Sequence, residues 1–535
     1  MVNLQDKKIR VIDPKINFLS YGPTLKIINE ENKKETTLTP DDLVYGAAGV
    51  TFKGVNFIDE VIDLKKEDID FEKKRNNSII KSAGAGHSSL STSTGFWVVI
   101  EGDSSKLVDS IFTGATYISA LMPSGRRIPI SKEEIVVPKG IADKGGKSLE
   151  LYLDASEKNI EAYELLQKNN VPKQEASKIV QYGHSGGGFL YIPLETLVYF
   201  SRLAENNKED IPLEGIEIIN QLEKIVHQNG MGVVYESRKN APRTTNPNPE
   251  IFHHRITESE EIFENIKEYT EISPRLLTVF DSSSKLRDRR IENYLKKRSK
   301  KNWQESLNEL FEIVSDYNNS IKISFITNTP WRVWGEVKRH RTLNQNASSI
   351  YNAIEKSLDN YIHDKEISSG FEEEVETLKR FISIPSSVEN NKENFEIWEE
   401  RFFDSLIVYR ELLKKGVKES DAISIIPRGI KFPIIKNFDF FNLTLGYNSL
   451  RTCRGTVEPE MYFITKKETD LVKRDNRVSE SIKKLVVPKC NYVGFCLEGD
   501  YKKCCGDVRQ VSPNYNEETH KSIWNKRESE IRSKI

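Results

Sequence analysis

Two arginines flank a histidine at Arg339-His340-Arg341, and after an interval of seven residues a serine follows at Ser349. A guanidinium presents forked donors that match phosphate oxygens or a polarised carbonyl, so two of them beside an imidazole suit an anionic ligand. An arbitrary Arg-x-Arg gives only a solvated basic turn, and spacing distinguishes the two readings. No Ser-His-Asp set accompanies Ser349, so it does not read as a hydrolytic nucleophile. A second constellation, Ser124-Gly125-Arg126, joins a hydroxyl, a close backbone approach and a guanidinium. Four thiols, Cys490, Cys496, Cys504 and Cys505, lie close together near the end of the chain. Such a group could bind zinc or an iron-sulfur cluster, yet the spacing fits no standard knuckle, so no metal is assigned and reduced structural thiols are the plain alternative. His253-His254 reads as a surface pair, because neighbouring histidines point apart and lack a suitably spaced partner. Gly183 to Gly188 lacks the lysine of a phosphate loop and reads as a flexible connection.

The triplet, the interval and Ser349 together resemble the signature of the flavin-dependent thymidylate synthases (ThyX), and Ile321 to Ile326 resembles the strand that enters it. The resemblance implies that Arg339, His340, Arg341 and Asn346 contact FAD, and that Ser349 lies beside the nucleotide. Ser124, Gly125 and Arg126 match the family's substrate-binding Ser-Gly-Arg. Arg451, with Arg454 as a competing assignment, fits the arginine that polarises the uracil carbonyl, a cation aimed at developing negative charge. His87 fits a histidine-bearing loop. The implied reaction is reductive methylation of dUMP to dTMP at C5, with methylenetetrahydrofolate and NADPH as co-substrates.

Several family positions are changed. Glu336 stands for a glutamine, Ala347 for a glutamate and Tyr351 for a substrate-binding arginine, while Ser177 and Ile423 occupy the two places of another arginine. Charge-assisted bonds contribute about 1.5–3 kcal/mol each, so the losses are substantial unless replaced. They keep open a flavin-dependent hydroxymethylase or other C5-modifying enzyme, and a catalytically silent flavin- or nucleotide-binding homologue.

The elements that must position these residues are legible in outline. Lys15 to Ser20 and Gly95 to Ile100 read as strands, Thr39-Pro-Asp-Asp42 as a capped helix start, and Ser104 to Ile118 as a helix. Tyr163 to Gln181 returns as Tyr409 to Arg428, with tyrosine, paired leucines, valine, an acid and alanine in the same order. Such recurrence signals an internal duplication. In the first copy Gly114-Ala115-Thr116 replaces the cationic triplet, while the second lacks Ser-Gly-Arg. The fold class expected is α/β (α+β), two ThyX-like domains each with helices around a mainly antiparallel sheet. The boundaries are 1–235 for a degenerate domain, 236–255 for a Pro/Asn-rich linker, 256–485 for the domain with the triplet, and 486–535 for a cysteine-bearing tail. Because the family builds its sites across subunits, composite sites in a homodimer acting as a pseudo-tetramer follow.

Composition sets the outer limits. With 535 residues, two domains are the default. A formal net charge of -1 argues against nucleic acid as the main partner. The basic stretch Lys285 to Lys301 reads as an exposed helix face rather than a nucleic-acid contact. The acidic stretch Tyr361 to Asn394 reads as a peripheral helical insertion. No run approaches a membrane span and the first residues lack an apolar leader, so the expected location is cytoplasmic.

Overall fold

The computed structural model describes residues 9–28, 35–53, 59, 61–63, 65, 70–124, 128–243, 245, 248–265, 274–298, 301–365, 370–455 and 457–494. The chain forms two compact units. One comprises Met1–Ile256, Pro330–Arg339 and Ser348–Phe432, and the other Thr257–Thr329, His340–Ala347 and Pro433–Ile535.

The first unit carries strands β1 (Asp13–Gly22), β4 (Gly95–Asp103), β5 (Ser119–Leu121) and β6 (Gly188–Pro193) in one antiparallel sheet of order β1-β4-β6-β5. A separate hairpin joins β2 (Leu25–Ile28) and β3 (Glu35–Leu38). In β4 the alternating Phe96, Val98 and Ile100 are buried, as the two-residue period of a strand requires. The second unit's sheet holds β7 (Arg275–Asp281), β8 (Ile321–Pro330), β9 (Asn344–Ala347) and β10 (Lys431–Asp439) in the order β7-β8-β10-β9. Both four-stranded sheets therefore run first, second, fourth, third in chain order. Both also break register in the opening pair, at Phe18/Ser20 and at Leu276/Thr278.

The helix Pro40–Lys53 starts where the sequence places it. The Asp42 amide donates to Thr39 Oγ1 at 3.3 Å and the Thr39 amide to Asp42 Oδ2 at 2.9 Å, a reciprocal capping box. The helices Gly146–Lys168 and Lys392–Lys414 bury apolar stripes, including Tyr152, Ile160 and Tyr163 on one and Trp398, Leu406 and Tyr409 on the other. They pack together within the first unit. Asn159 Nδ2 donates to Ser405 Oγ at 2.9 Å, and these residues lie 246 positions apart, as do Tyr163 and Tyr409. Gln181 and Pro427, at the same separation, form an antiparallel bridge. Around it the Tyr182 amide donates to the Ile426 carbonyl at 3.2 Å and the Arg428 amide to the Val180 carbonyl at 3.1 Å. Segments 246 positions apart thus exchange matching bonds, the pattern of a local two-fold axis.

Four sequence expectations need correction. The helix expected over Ser104 to Ile118 is confined to Leu107–Phe112, because the Ser104 and Ser105 hydroxyls and the Ser105 amide bond the buried Glu214 carboxylate ahead of it. Gly183 to Gly188 is a packed connector rather than a loose one. The Gly186 amide donates to the Ser104 carbonyl at 2.8 Å, and a Cβ there would sit 2.0 Å from the Ser105 carbonyl oxygen. Leu378, Ile382, Ser383 and Val388 are buried, so the acidic stretch is not peripheral throughout. His253 is buried, while half-exposed His254 lies 2.8 Å from Glu419. On the basic helix Lys285–Lys297, Arg287 is buried against Asp281 and Asp288, with other basic residues outward. Among the described residues no helix is long and apolar enough to cross a membrane, and no three His, Cys, Asp or Glu residues group as metal ligands. Cys490 Sγ accepts from Asn491 Nδ2 at 3.8 Å, and Cys496, Cys504 and Cys505 lie outside the described residues.

Candidate functional site

In the first unit the helix Trp331–Val337 is fixed at its start. The Trp331 amide donates to the Ile430 carbonyl at 2.7 Å, the Arg332 amide to the Arg428 carbonyl at 2.9 Å, and Trp331 Nε1 to Ser110 Oγ at 3.0 Å. Tyr182 covers Trp331 with ring centroids 3.9 Å apart. Lys338 and Arg339 follow at the helix C-terminus, an end that favours cations.

There they meet Asp109 of the helix Leu107–Phe112. Arg339 Nη2 lies 2.9 and 3.1 Å from the two Asp109 oxygens. Lys338 donates to the Asp109 backbone carbonyl, with its ammonium 4.0 Å from the carboxylate and 4.7 Å from the centre of the Trp334 ring. Lys106 Nζ stands 3.7 Å from Asp109 and donates to the Pro123 carbonyl at 2.7 Å, next to Ser124. Burial alone would raise the Asp109 carboxyl, but Lys106, Lys338 and Arg339 together hold it well below the usual carboxylate range. Burial, helped by neighbouring cations, pushes Lys338 down to about 7 and Lys106 down to about 8.

Arg428 completes this cluster. It is fully buried, its Nε donates to the Ser177 carbonyl at 3.0 Å, and burial plus the Arg332 charge lower it to about 9. Among the described residues no protein group accepts from Arg428 Nη1, Arg332 Nε or Arg339 Nε. A buried donor left unpaired costs about 1–3 kcal/mol. Five cations, Lys106, Arg332, Lys338, Arg339 and Arg428, thus gather with Asp109, and with Glu336 at 3.5 Å from Arg332. The arrangement is an electrostatic cradle for an anion.

The second unit holds His340, Arg341, Asn346 and Arg451. Arg451 Nε donates to His340 Nε2 at 2.8 Å, so that nitrogen is the acceptor of the imidazole. Burial, then Arg451, Lys436 and Arg341, push His340 down to about 3, which keeps it neutral. Its ring meets Tyr447 edge to face at 4.9 Å, and Lys436 lies 5.2 Å from the Tyr447 ring centre and pairs with buried Glu468. Asn346, on β9, accepts from the Ser259 amide at 3.2 Å, and Arg341 is half-buried. Arg454 is exposed, whereas Arg451 is half-buried and oriented.

The other expected residues occupy plainer places. Ser349 is buried, donates to the His253 carbonyl and accepts from the Asn352 amide at 3.2 Å, as the cap of the helix Ile350–Lys365. Tyr351 is buried with its hydroxyl on the Asp210 carbonyl, and its ring stacks on His254 at 5.1 Å. Ser124 is half-buried and His87 exposed, while Gly125 and Arg126 lie outside the described residues. Sequence reading missed Lys106, Asp109, Arg332, Lys338 and Arg428. Only Lys338, directly before the triplet, carried a local signal.

The chain is similar to flavin-dependent thymidylate synthases. It is 29% identical over 126 residues to the enzyme of Pyrococcus furiosus, covering 23% of this chain and 51% of that protein. It is 27% identical over 124 residues to the enzyme of Pyrococcus abyssi, covering 23% and 50% respectively. The chain thus spans about half the length of the curated relatives it matches. Among solved structures, a UMP/dUMP methylase, PolB, from Streptomyces cacaoi bound with 5-Br dUMP aligns over 45% of this chain and 100% of its own, with 13% identity and a TM-score of 0.33. Flavin-dependent thymidylate synthase ThyX from Helicobacter pylori complexed with FAD and dUMP aligns over 40% and 97%, with 15% identity and a TM-score of 0.27. No protein-family model matches the chain.

Proposed function

We propose that the chain is a flavin-dependent enzyme acting at C5 of a uracil nucleotide, most simply the reductive methylation of dUMP to dTMP with methylenetetrahydrofolate and NADPH. The observation that carries this reading is the meeting of Arg339, from the triplet, with Asp109 and Lys106, from the half that bears Ser124. Such a meeting is what a composite site in a duplicated chain requires. The equal 246-residue separations and the shared strand order of the two sheets favour duplication, with the halves at 1–235 and 256–485, the linker at 236–255 and the tail from 486. Self-association into a homodimer is the corresponding assembly.

The unpaired guanidinium nitrogens fit FAD, whose diphosphate is an anion in need of such donors. Arg339 would hold it, and when bound it supplies hydride chemistry. Arg451 polarises the uracil carbonyl, and neutral His340 fixes the plane of its guanidinium. Lys338, poised near neutrality, holds positive charge or releases a proton beside Arg339. Ser124, Gly125 and Arg126 bind the nucleotide, and Ser349 acts by capping the helix after the motif.

Tyr351 favours a second reading. Its burial on the Asp210 carbonyl leaves no phosphate donor at that place, which suits a different uracil nucleotide or a different C5 product, hydroxymethylated for example. The test is the visible absorption spectrum of the purified chain, then its change on anaerobic addition of NADPH, followed by dUMP or UMP. Flavin whose reduction or reoxidation responds to one nucleotide supports the proposal and selects the substrate. Flavin indifferent to both indicates a silent homologue, and no uptake of added FAD overturns the reading.

A further inference from the structure

Between the helix Lys139–Lys144, the segment 208–216 and the turn 416–421, all in the first unit, lies a cavity of about 410 Å³. That volume falls within the roughly 300–1,000 Å³ of small-molecule sites. Its charges are sorted by depth. Asp421, only 5% exposed, lies inside, while the exposed Lys144, Lys208 and Lys418 border it. Ile211, Leu213 and Val417 supply apolar wall.

Among the described residues the Asp421 carboxylate has no hydrogen-bond or ion-pair partner. Glu175, 246 positions earlier, is satisfied within the chain, accepting from Ser387 Oγ at 2.5 Å. Where that acid meets a serine, Asp421 meets Gly140. A Cβ on this glycine would stand 2.0 Å from Asp421 Oδ2, so the helix offers the acid no side chain at that point. Burial raises Asp421 to about 6, with Glu217 and Asp143 adding to the rise and Lys418 opposing it, so the group is mainly charged at pH 7.5. A buried carboxylate without a donor is costly, and a cationic donor offsets that cost better than a neutral one.

We propose that this cavity binds an apolar α-amino acid as its zwitterion. The ammonium enters to Asp421, the side chain lies against the apolar wall, and the carboxylate stays at the border among the lysines. A plain amine leaves the lysines unused. A plain carboxylate leaves Asp421 unpaired and adds a second negative charge beside it. A ligand of both signs with an apolar body answers all three features. The site shares no residue with the cationic cluster or the His340–Arg451 pair, and its ligand takes no part in the reaction proposed above, which makes it an effector site.

The test is calorimetric titration of the full chain at pH 7.5 with L-phenylalanine and with L-leucine, then with the two halves of the tighter ligand. For phenylalanine these are phenethylamine and 3-phenylpropionate, and for leucine isoamylamine and 4-methylpentanoate. At least one amino acid should bind with a Kd below about 1 mM, and each half should bind about tenfold or more weakly than the whole. Asp421→Asn should weaken the amino acid and the amine about tenfold while leaving the carboxylate unaffected or tighter. Lys144→Gln with Lys208→Gln should do the reverse, weakening the amino acid and the carboxylate but not the amine. A distorted cavity would weaken all three alike, so the crossed pattern separates recognition from misfolding. The Asp421→Asn chain should melt no lower than the parent, because the change removes an unsatisfied charge. Neither amino acid binding below 1 mM, halves that bind as tightly as the whole, or equal amino-acid binding by Asp421→Asn overturns the proposal, whatever the flavin experiment shows.

Discussion

One guanidinium nitrogen of Arg339, Nη2, lies 2.9 Å from one carboxylate oxygen of Asp109 and 3.1 Å from the other. Their partnership gives the triplet's first arginine a fixed direction. It also concentrates the balance of charge for Lys106, Lys338 and Arg339 on a single acid.

Asp109→Asn therefore leaves three cations without their common counter-charge. Removing one partner of a buried pair typically costs about 3–5 kcal/mol, and the exposure of Arg339 places the expected loss near the lower end. Urea unfolding should show a lowered midpoint with an unchanged slope. An unaltered midpoint means that Asp109 does not stabilise the cluster.

Arg428→Met tests whether the cradle serves a ligand. Arg428 is buried without a carboxylate, so the free protein should change by only about 1 kcal/mol, the lost bonds to Ser177 offsetting the relieved desolvation. Added phosphate or dUMP should raise the melting temperature of the parent and raise that of the variant far less. Equal shifts in both proteins place the anion elsewhere.

Local pattern was enough for some of this structure. The strands at β1 and β4 show in their alternation, and the start at Thr39 in its capping residues. Ser349 and Tyr351 show the limit. Spacing located them, but whether a hydroxyl faces a ligand or a backbone carbonyl depends on what packs above it, here His253 and Asp210. The Asp109–Arg339 pair spans 230 positions, and no window of sequence contains both. Ser104 and Ser105 read as the start of a helix because their partner, Glu214, is also distant in sequence.

Lys338 should impose a pH dependence on anion binding. Its folded pKa is depressed to about 7 by burial first, so it loses its charge as pH rises through neutrality. Phosphate or dUMP affinity should fall over that step, and Lys338→Met should flatten it. Stability moves the other way. Between about 7 and the unfolded value near 10.5 the unfolded chain binds more protons at this site, so its contribution to stability rises with pH over that window. His340, neutral above about 3, should add no step to anion binding near neutrality, whereas its contribution to stability should rise with pH between about 3 and the unfolded value of 6.5.

His340→Ala should misdirect Arg451 without removing its charge. If Arg451 polarises the uracil carbonyl, turnover should fall by about 10²-fold, the scale of losing one aimed donor, with nucleotide affinity changed little. His340→Gln, which restores an acceptor, should recover part of the loss. A matching collapse of nucleotide affinity would instead assign His340 to binding, and unchanged turnover would release Arg451 from the catalytic role.

The equal-separation contacts make a last, structural prediction. Asn159 and Ser405 bond each other from the helices Gly146–Lys168 and Lys392–Lys414, 246 positions apart, and both are buried. Asn159→Ala and Ser405→Ala each remove one side of that bond, and each should destabilise by about 1–2 kcal/mol because the remaining partner is buried and unpaired. The double variant removes both, so its cost should be less than the sum, with a coupling of about 1 kcal/mol in a double-mutant cycle. Additive losses would mean that the bond contributes nothing at this contact, which would then rest on Tyr163, Tyr409 and the other apolar residues of the two helices.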